Sequence, residues 1–136
     1  MTITPTPLDV DALLAEASRR ANGRTDLGDD AAAFTEGLGR FVDSLHADAA
    51  LNPTGQFVAS ERALVHIVNR LDYVGDRAAF PEIATQRIVK PVFIIGMPRT
   101  GTTILHDILA CDPANRAPLT WECMFPSPPP RAETFT

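Results

Sequence analysis

The chain has 136 residues, enough for one modest domain with a core of its own. Hydrophobic residues make up 45% and charged residues 21%, the make-up of an ordinary globular protein; the net charge of -5 excludes bulk nucleic-acid binding, which needs a basic face. Two cysteines, Cys111 and Cys123, are too few for a disulfide framework, no basic-then-apolar leader opens the chain, and the longest apolar run, residues 91–95, is far too short to cross a bilayer, so a cytoplasmic protein with reduced thiols is expected, with no membrane partner.

Residues 1–7 are polar and broken by prolines, the pattern of a loose end. A short helix is predicted from Asp9 to Ala21, with Val10, Leu13, Leu14 and Ala17 on one face and Asn22-Gly23 as its stop. Gly28-Asp29-Asp30 opens a second helix, capped by Asp29 or Asp30. Its apolar stripe is Phe34, Leu38, Phe41, Leu45 and Ala49, and Asn52-Pro53-Thr54-Gly55 is expected to end it. A third helix is predicted over about 56–73, with Val58, Leu64, Val65, Val68 and Leu71 inward. Phe80-Pro81-Glu82 suggests a further short helical turn.

The character then changes. Residues 91–95 (PVFII) form a continuous apolar run rich in branched residues, the signature of a strand covered on both faces. Residues 102–110 are predicted helical, with Ile104, Leu105, Ile108 and Leu109 inward. Six of the 12 prolines lie from Pro113 onward, so no regular structure is expected there. One parallel-type strand requires neighbours reached through crossovers, and nothing after Ala110 supplies them. The chain therefore reads as the N-terminal part of something longer: residues 1–26 a tail and short helix, 27–90 a helical region, and 91–136 the start of an α/β domain.

Between strand and helix lies Gly96-Met97-Pro98-Arg99-Thr100-Gly101-Thr102-Thr103. Its G-x-x-x-x-G spacing is that of a phosphate loop, in which glycines let successive N–H groups turn toward one anion. The helix start adds unpaired N–H groups and partial positive charge, and Thr102 and Thr103 add hydroxyls. Yet Thr102 stands where nucleoside triphosphatases carry the lysine that reaches the β/γ-phosphates. The charge has moved into the loop as Arg99, a permanently charged fork suited to two oxygens at once. With no acidic strand to hold Mg²⁺, this pattern suits a terminal anion bound without a metal.

Pro98-Arg99-Thr100-Gly101-Thr102-Thr103 resembles the 5′-phosphosulfate loop, P-[KR]-[ST]-G-T-[TS], of the sulfotransferases that use 3′-phosphoadenosine 5′-phosphosulfate (PAPS). The arginine form is similar to the bacterial and Golgi-type branches. Leu27 to Asp30, Leu51 to Gly55, Asn69-Arg70-Leu71 and Trp121-Glu122 also resemble a bacterial group of that family. The resemblance implies an α/β fold of P-loop sulfotransferase type, present here as the helical region and the first strand–loop–helix. It implies PAPS as donor, a small hydroxylated acceptor (or an amine in place of the hydroxyl) and no metal. Carried over residue by residue, it places Arg99 on the phosphosulfate bridge and Thr100, Gly101, Thr102 and Thr103 on the 5′-phosphate, with Pro98 counted among the cofactor-binding residues. It makes Glu122, 23 positions after Arg99, the candidate base that takes the acceptor proton. The family's Arg/Ser pair for the 3′-phosphate has no counterpart here.

Two other functions fit parts of the pattern: a P-loop kinase or nucleotide-binding protein, against which the missing lysine speaks, and a non-catalytic helical remnant. Glu122 has an ordinary alternative as a solvated or ion-paired carboxylate. His106, one turn past Thr103, reads as a surface or supporting residue, and His46 and His66 as structural. The cysteines lack histidines at zinc spacing and read as small apolar filler. Trp121 and the prolines at 126 and 128–130 could line an acceptor mouth or form an ordinary connection.

Overall fold

The structure is a computed structural model, and it describes residues 6–127. Helix α1, Val10–Arg20, starts where the Asp9 carboxylate accepts the Ala12 N–H at 3.0 Å. It ends where Asn22 (φ 56) and Gly23 (φ 83) turn left-handed and the Gly23 N–H reaches back to the Ser18 carbonyl at 2.8 Å. Both boundaries are those expected.

Helix α2 spans Ala31–Asp48. Gly28 (φ 83) makes the turn before it, with its N–H on the Asp26 carboxylate at 2.8 Å. Asp30 stands at the N-cap, but its carboxylate is drawn to Arg70 rather than to the helix. The buried positions are Leu38 and Val42, whereas Phe41 is 44% exposed, so the inward face is rotated from the expected stripe.

Helix α3 is longer than expected at both ends, Pro53–Ala79. The Asn52-Pro53-Thr54-Gly55 stretch does not end α2. It begins α3, with the Asn52 side chain accepting the Gly55 N–H at 2.8 Å and Pro53 in the first turn, where its missing N–H costs nothing. Ser60, Ala63, Leu64, Ile67 and Leu71 are buried on it, while Val58 and Val65 face out. The buried Ser60 hydroxyl is satisfied by the Phe57 carbonyl at 2.9 Å.

The three helices share one core: Leu13, Ala17 and Ala21 from α1 and its end, Leu27 from the following turn, Leu38 and Val42 from α2, and the α3 face. Fully burying each of Leu13, Leu64 and Ile67 contributes about 1.5–3 kcal/mol. Charge pairs pin the rim. Arg20 bridges Glu61 at 2.8 Å and Glu16 at 2.7 Å, and Arg24 pairs with Asp72. Arg70 donates to the Leu27 carbonyl at 2.8 Å, pairs with Asp30 and lies 4.5 Å over the Phe34 ring, closing the connection between α1 and α2 onto α3.

After the short helix α4, Glu82–Thr85, with Pro81 at its start, the packing stops. The strand expected over 91–95 is not formed: this stretch is irregular, with Val92, Phe93 and Ile95 exposed by 74, 80 and 93%. A strand exists only through hydrogen bonds to a neighbour, and no segment among the described residues pairs with this one. The α/β expectation is thus met by the described residues on its helical side alone. Helix α5, Thr102–Ala110, forms as expected but buries none of its residues. A five-residue helix α6, Thr120–Met124, appears where no regular structure was expected. It is clipped to α3 by Asn69, which donates to the Met124 carbonyl at 2.7 Å, and by Ser127, which donates to Asp76 at 2.6 Å. No helix among the described residues is long and apolar enough to cross a membrane. Prolines 128–130 lie outside the described residues.

Candidate functional site

The turn from Gly96 to Thr103 joins the irregular 91–95 stretch to helix α5. Arg99 has φ 64 and Gly101 φ 91, and Thr100 between them is not left-handed. Alternating hands along the chain turn successive N–H groups to one side, forming a concavity for an anion. A left-handed arginine costs roughly 1–2 kcal/mol, and such outliers persist where the local structure imposes them.

The packing inside the turn explains what imposes it. The Thr100 hydroxyl donates to the Met97 carbonyl at 2.6 Å, closing the loop on itself. A side chain at Gly96 would come within 2.8 Å of Thr100 Oγ1 and 2.9 Å of Thr102 Cγ2, so only glycine fits there. Gly101 then starts α5, and the first bond of the helix runs from the Leu105 N–H to the Gly101 carbonyl at 3.0 Å. Among the described residues, no N–H from Arg99 to Ile104 donates to a backbone carbonyl. The start of α5 therefore presents free donors and the positive end of its dipole.

The structure brings Pro98, Arg99, Thr100, Gly101, Thr102 and Thr103 together in this one turn. Their roles are not equal. The Thr100 hydroxyl is already used within the loop, which leaves its N–H for a ligand, whereas the Thr102 and Thr103 hydroxyls stand at the helix start. Arg99 is exposed and enters no ion pair among the described residues. A turn with a permanent cation, free backbone donors and two hydroxyls fits a sulfate- or phosphate-bearing group.

Glu122 is elsewhere. One carboxylate oxygen accepts from Arg116 at 2.6 Å and the other from the Leu119 N–H at 2.6 Å, which caps α6. No hydrogen bond or ion pair among the described residues joins it to the turn. Arg116 is the neighbour that the sequence reading missed; six positions apart across an irregular stretch, it had no periodic signal. His106 is exposed, with its Nδ1 3.3 Å from Asp107, and His46 contacts the Leu8 carbonyl at 2.7 Å. Cys111 and Cys123 are free and exposed rather than filling a core.

Comparison with known proteins gives these residues a context. A family model described as "Sulfotransferase family" matches residues 91–135, the turn included. The solved structure of sulfotransferase STF1 from Mycobacterium tuberculosis H37Rv superposes on 96% of this chain with a TM-score of 0.82 and 32% identity, and the match takes in 36% of that chain. Two curated relatives, both called omega-hydroxy-beta-dihydromenaquinone-9 sulfotransferase Stf3, come from Mycobacterium bovis and Mycobacterium tuberculosis. Each is 47% identical over 36 residues, 26% of this chain and 9% of the relative. The chain thus spans about a third of the solved relative, and the matched stretch a tenth or less of the curated ones.

Proposed function

From the premise that the chain belongs to the sulfotransferase family, we propose that its 96–103 turn binds the 5′-phosphosulfate end of PAPS and serves transfer of the sulfuryl group to a small hydroxylated acceptor. The observation that carries this reading is Arg99 held at φ 64 in a self-closed turn at the start of α5. The family match does not favour the kinase or remnant alternatives.

PAPS supplies an activated sulfuryl group. An acceptor oxygen forms the new S–O bond as the bond from sulfur to the bridging phosphate oxygen breaks, and negative charge gathers on the departing phosphate. Arg99, the N–H groups of Thr100 to Thr103 and the two free threonine hydroxyls stabilise that charge, with no metal called for. The curated relatives act, by their name, on an omega-hydroxylated menaquinone derivative, which supports a hydroxyl acceptor for this chain as well. As base, Glu122 accepts the acceptor proton once Arg116 has moved off its carboxylate.

Limited trypsin digestion tests the reading directly, because Arg99 is an exposed cleavage point inside the ligand turn. The product analogue 3′-phosphoadenosine 5′-phosphate is expected to slow cleavage between Arg99 and Thr100, with ATP and Mg²⁺ much weaker. Equal protection by ATP would favour the kinase-type alternative, and no protection by either would remove the turn as a ligand site.

A further inference from the structure

The sulfuryl-transfer reading uses the turn and Glu122 and gives the three-helix core no task. What links Glu122 to that core is α6. A five-residue helix is far below the roughly 12–15 residues at which a helix holds by itself in water, so α6 depends on what satisfies its two ends. At its start the Glu122 carboxylate accepts the Leu119 N–H at 2.6 Å, with its other oxygen on Arg116 at 2.6 Å. At its end the Met124 carbonyl lies in the last turn, where no intrahelical donor reaches it, and accepts the Asn69 side-chain amide of α3 at 2.7 Å.

The chain beyond α6 is laid on the same face of α3. Ser127 donates to the Asp76 carboxylate at 2.6 Å. Asn69 and Asp76 are two helical turns apart in sequence, so they stand on one face, roughly 10 Å apart along the axis at about 1.5 Å per residue. The three steps of chain from Met124 to Ser127 span about 10 Å when extended. The two spacings match, and Pro126 between them, with its fixed φ, stiffens the strap. Asn69 and Asp76 are half-buried and, among the described residues, their side chains make hydrogen bonds to this strap alone.

We propose that Asn69 and Asp76 are positioning residues that latch the 120–127 strap onto α3 and so hold Glu122 in place, a role that rests on Glu122 serving as the base. Asn69 closes the open end of α6, the helix keeps its form, and the Glu122 carboxylate keeps its place at the helix start. Loss of the latch frays α6 and lets Glu122 swing, while the core, held by buried Leu64, Ile67 and Leu71, is untouched.

Trp121, next to Glu122, is the single tryptophan of the chain and reports on the strap. Acrylamide quenching of its fluorescence, and carbodiimide coupling of glycinamide to Glu122 followed by mass spectrometry, test the latch on the full chain. The Glu122 side chain is 18% exposed and that of Asp107 on α5 is 70% exposed, so Asp107 is the internal control. Asn69→Leu and Asp76→Ala should each raise quenching about two-fold, the room left by a docked Trp121 that is 37% exposed. Both should speed coupling at Glu122 and leave Asp107 coupling and the urea midpoint of the helical circular dichroism unchanged. Asp76→Asn keeps an acceptor for the Ser127 hydroxyl and should behave as the native chain does. Unchanged Glu122 coupling in both variants overturns the proposal. So does faster coupling that comes only with a lowered urea midpoint, because the two residues then merely hold the fold. Titration with 3′-phosphoadenosine 5′-phosphate reads the turn separately: absent binding there removes the transfer reading, whereas indifferent Glu122 coupling removes the latch.

Discussion

The helices up to Thr85 and the stretch from Gln86 to Ser127 are both rich in large apolar residues, yet only the first region hides them. Leu13, Leu64 and Ile67 are 0–1% exposed, whereas Phe93, Ile95 and Ile104 are 67–93% exposed. The difference lies in how each kind of element satisfies its backbone. A helix closes its hydrogen bonds within itself and then needs only a second helix to cover one stripe. A buried parallel strand needs neighbours on both edges and layers on both faces. The helical region is self-sufficient by that standard, and the region that carries the ligand turn is not.

The sharpest way to break this contrast is to cut equivalent apolar mass from each region. Leu64→Ala should cost 2–5 kcal/mol in urea unfolding, in line with buried leucines elsewhere, whereas Phe93→Ala should change the same curve by less than about 0.5 kcal/mol. Similar losses at both sites would mean that the 91–95 stretch is packed in solution. Removing a helix cap should have an intermediate effect: Asn52→Ala ought to lower stability by about 1 kcal/mol, read as a shift in the urea midpoint at unchanged slope.

Charge pairing should have a small effect and the clearest pH signature. Hydrogen bonds from Arg19 and then Arg20 pull the Glu16 carboxyl from its usual 4.5 down to about 2, and Arg20 likewise lowers Glu61. A carboxyl depressed in the folded state stabilises fully above its unfolded pKa and loses that contribution as pH falls from about 4.5 toward 2. Glu16→Gln should therefore cost at most about 1 kcal/mol near neutrality and flatten the acid limb of the stability profile. An unchanged acid limb would mean that the cluster is not formed.

The same contrast sets what could be read from sequence. Asp9, Gly23 and the glycines and arginine of the turn announced themselves because each acts locally, through a cap, a left-handed residue or a loop spacing. The periodicity of α2 leaves its inward face undetermined by one position, with Val42 inward instead of Phe41, because the choice is made by α3 and not by α2. Asn52 to Gly55 has the composition of a helix end, but its cap geometry makes it a beginning. The 91–95 run has strand composition, but a sheet is a property of several segments. Arg116 beside Glu122 is a contact across irregular chain that no period encodes.

The central claim is that the turn is an anion cradle whose charge comes from Arg99. Calorimetric titration with 3′-phosphoadenosine 5′-phosphate in EDTA tests it most directly, on the native chain and on Arg99→Asn, which keeps a residue tolerant of the left-handed conformation while removing the charge. The account predicts metal-independent binding that weakens ten-fold or more in the variant, the loss of a charge-assisted hydrogen bond. Equal affinity in both chains, or binding that needs Mg²⁺, would contradict it.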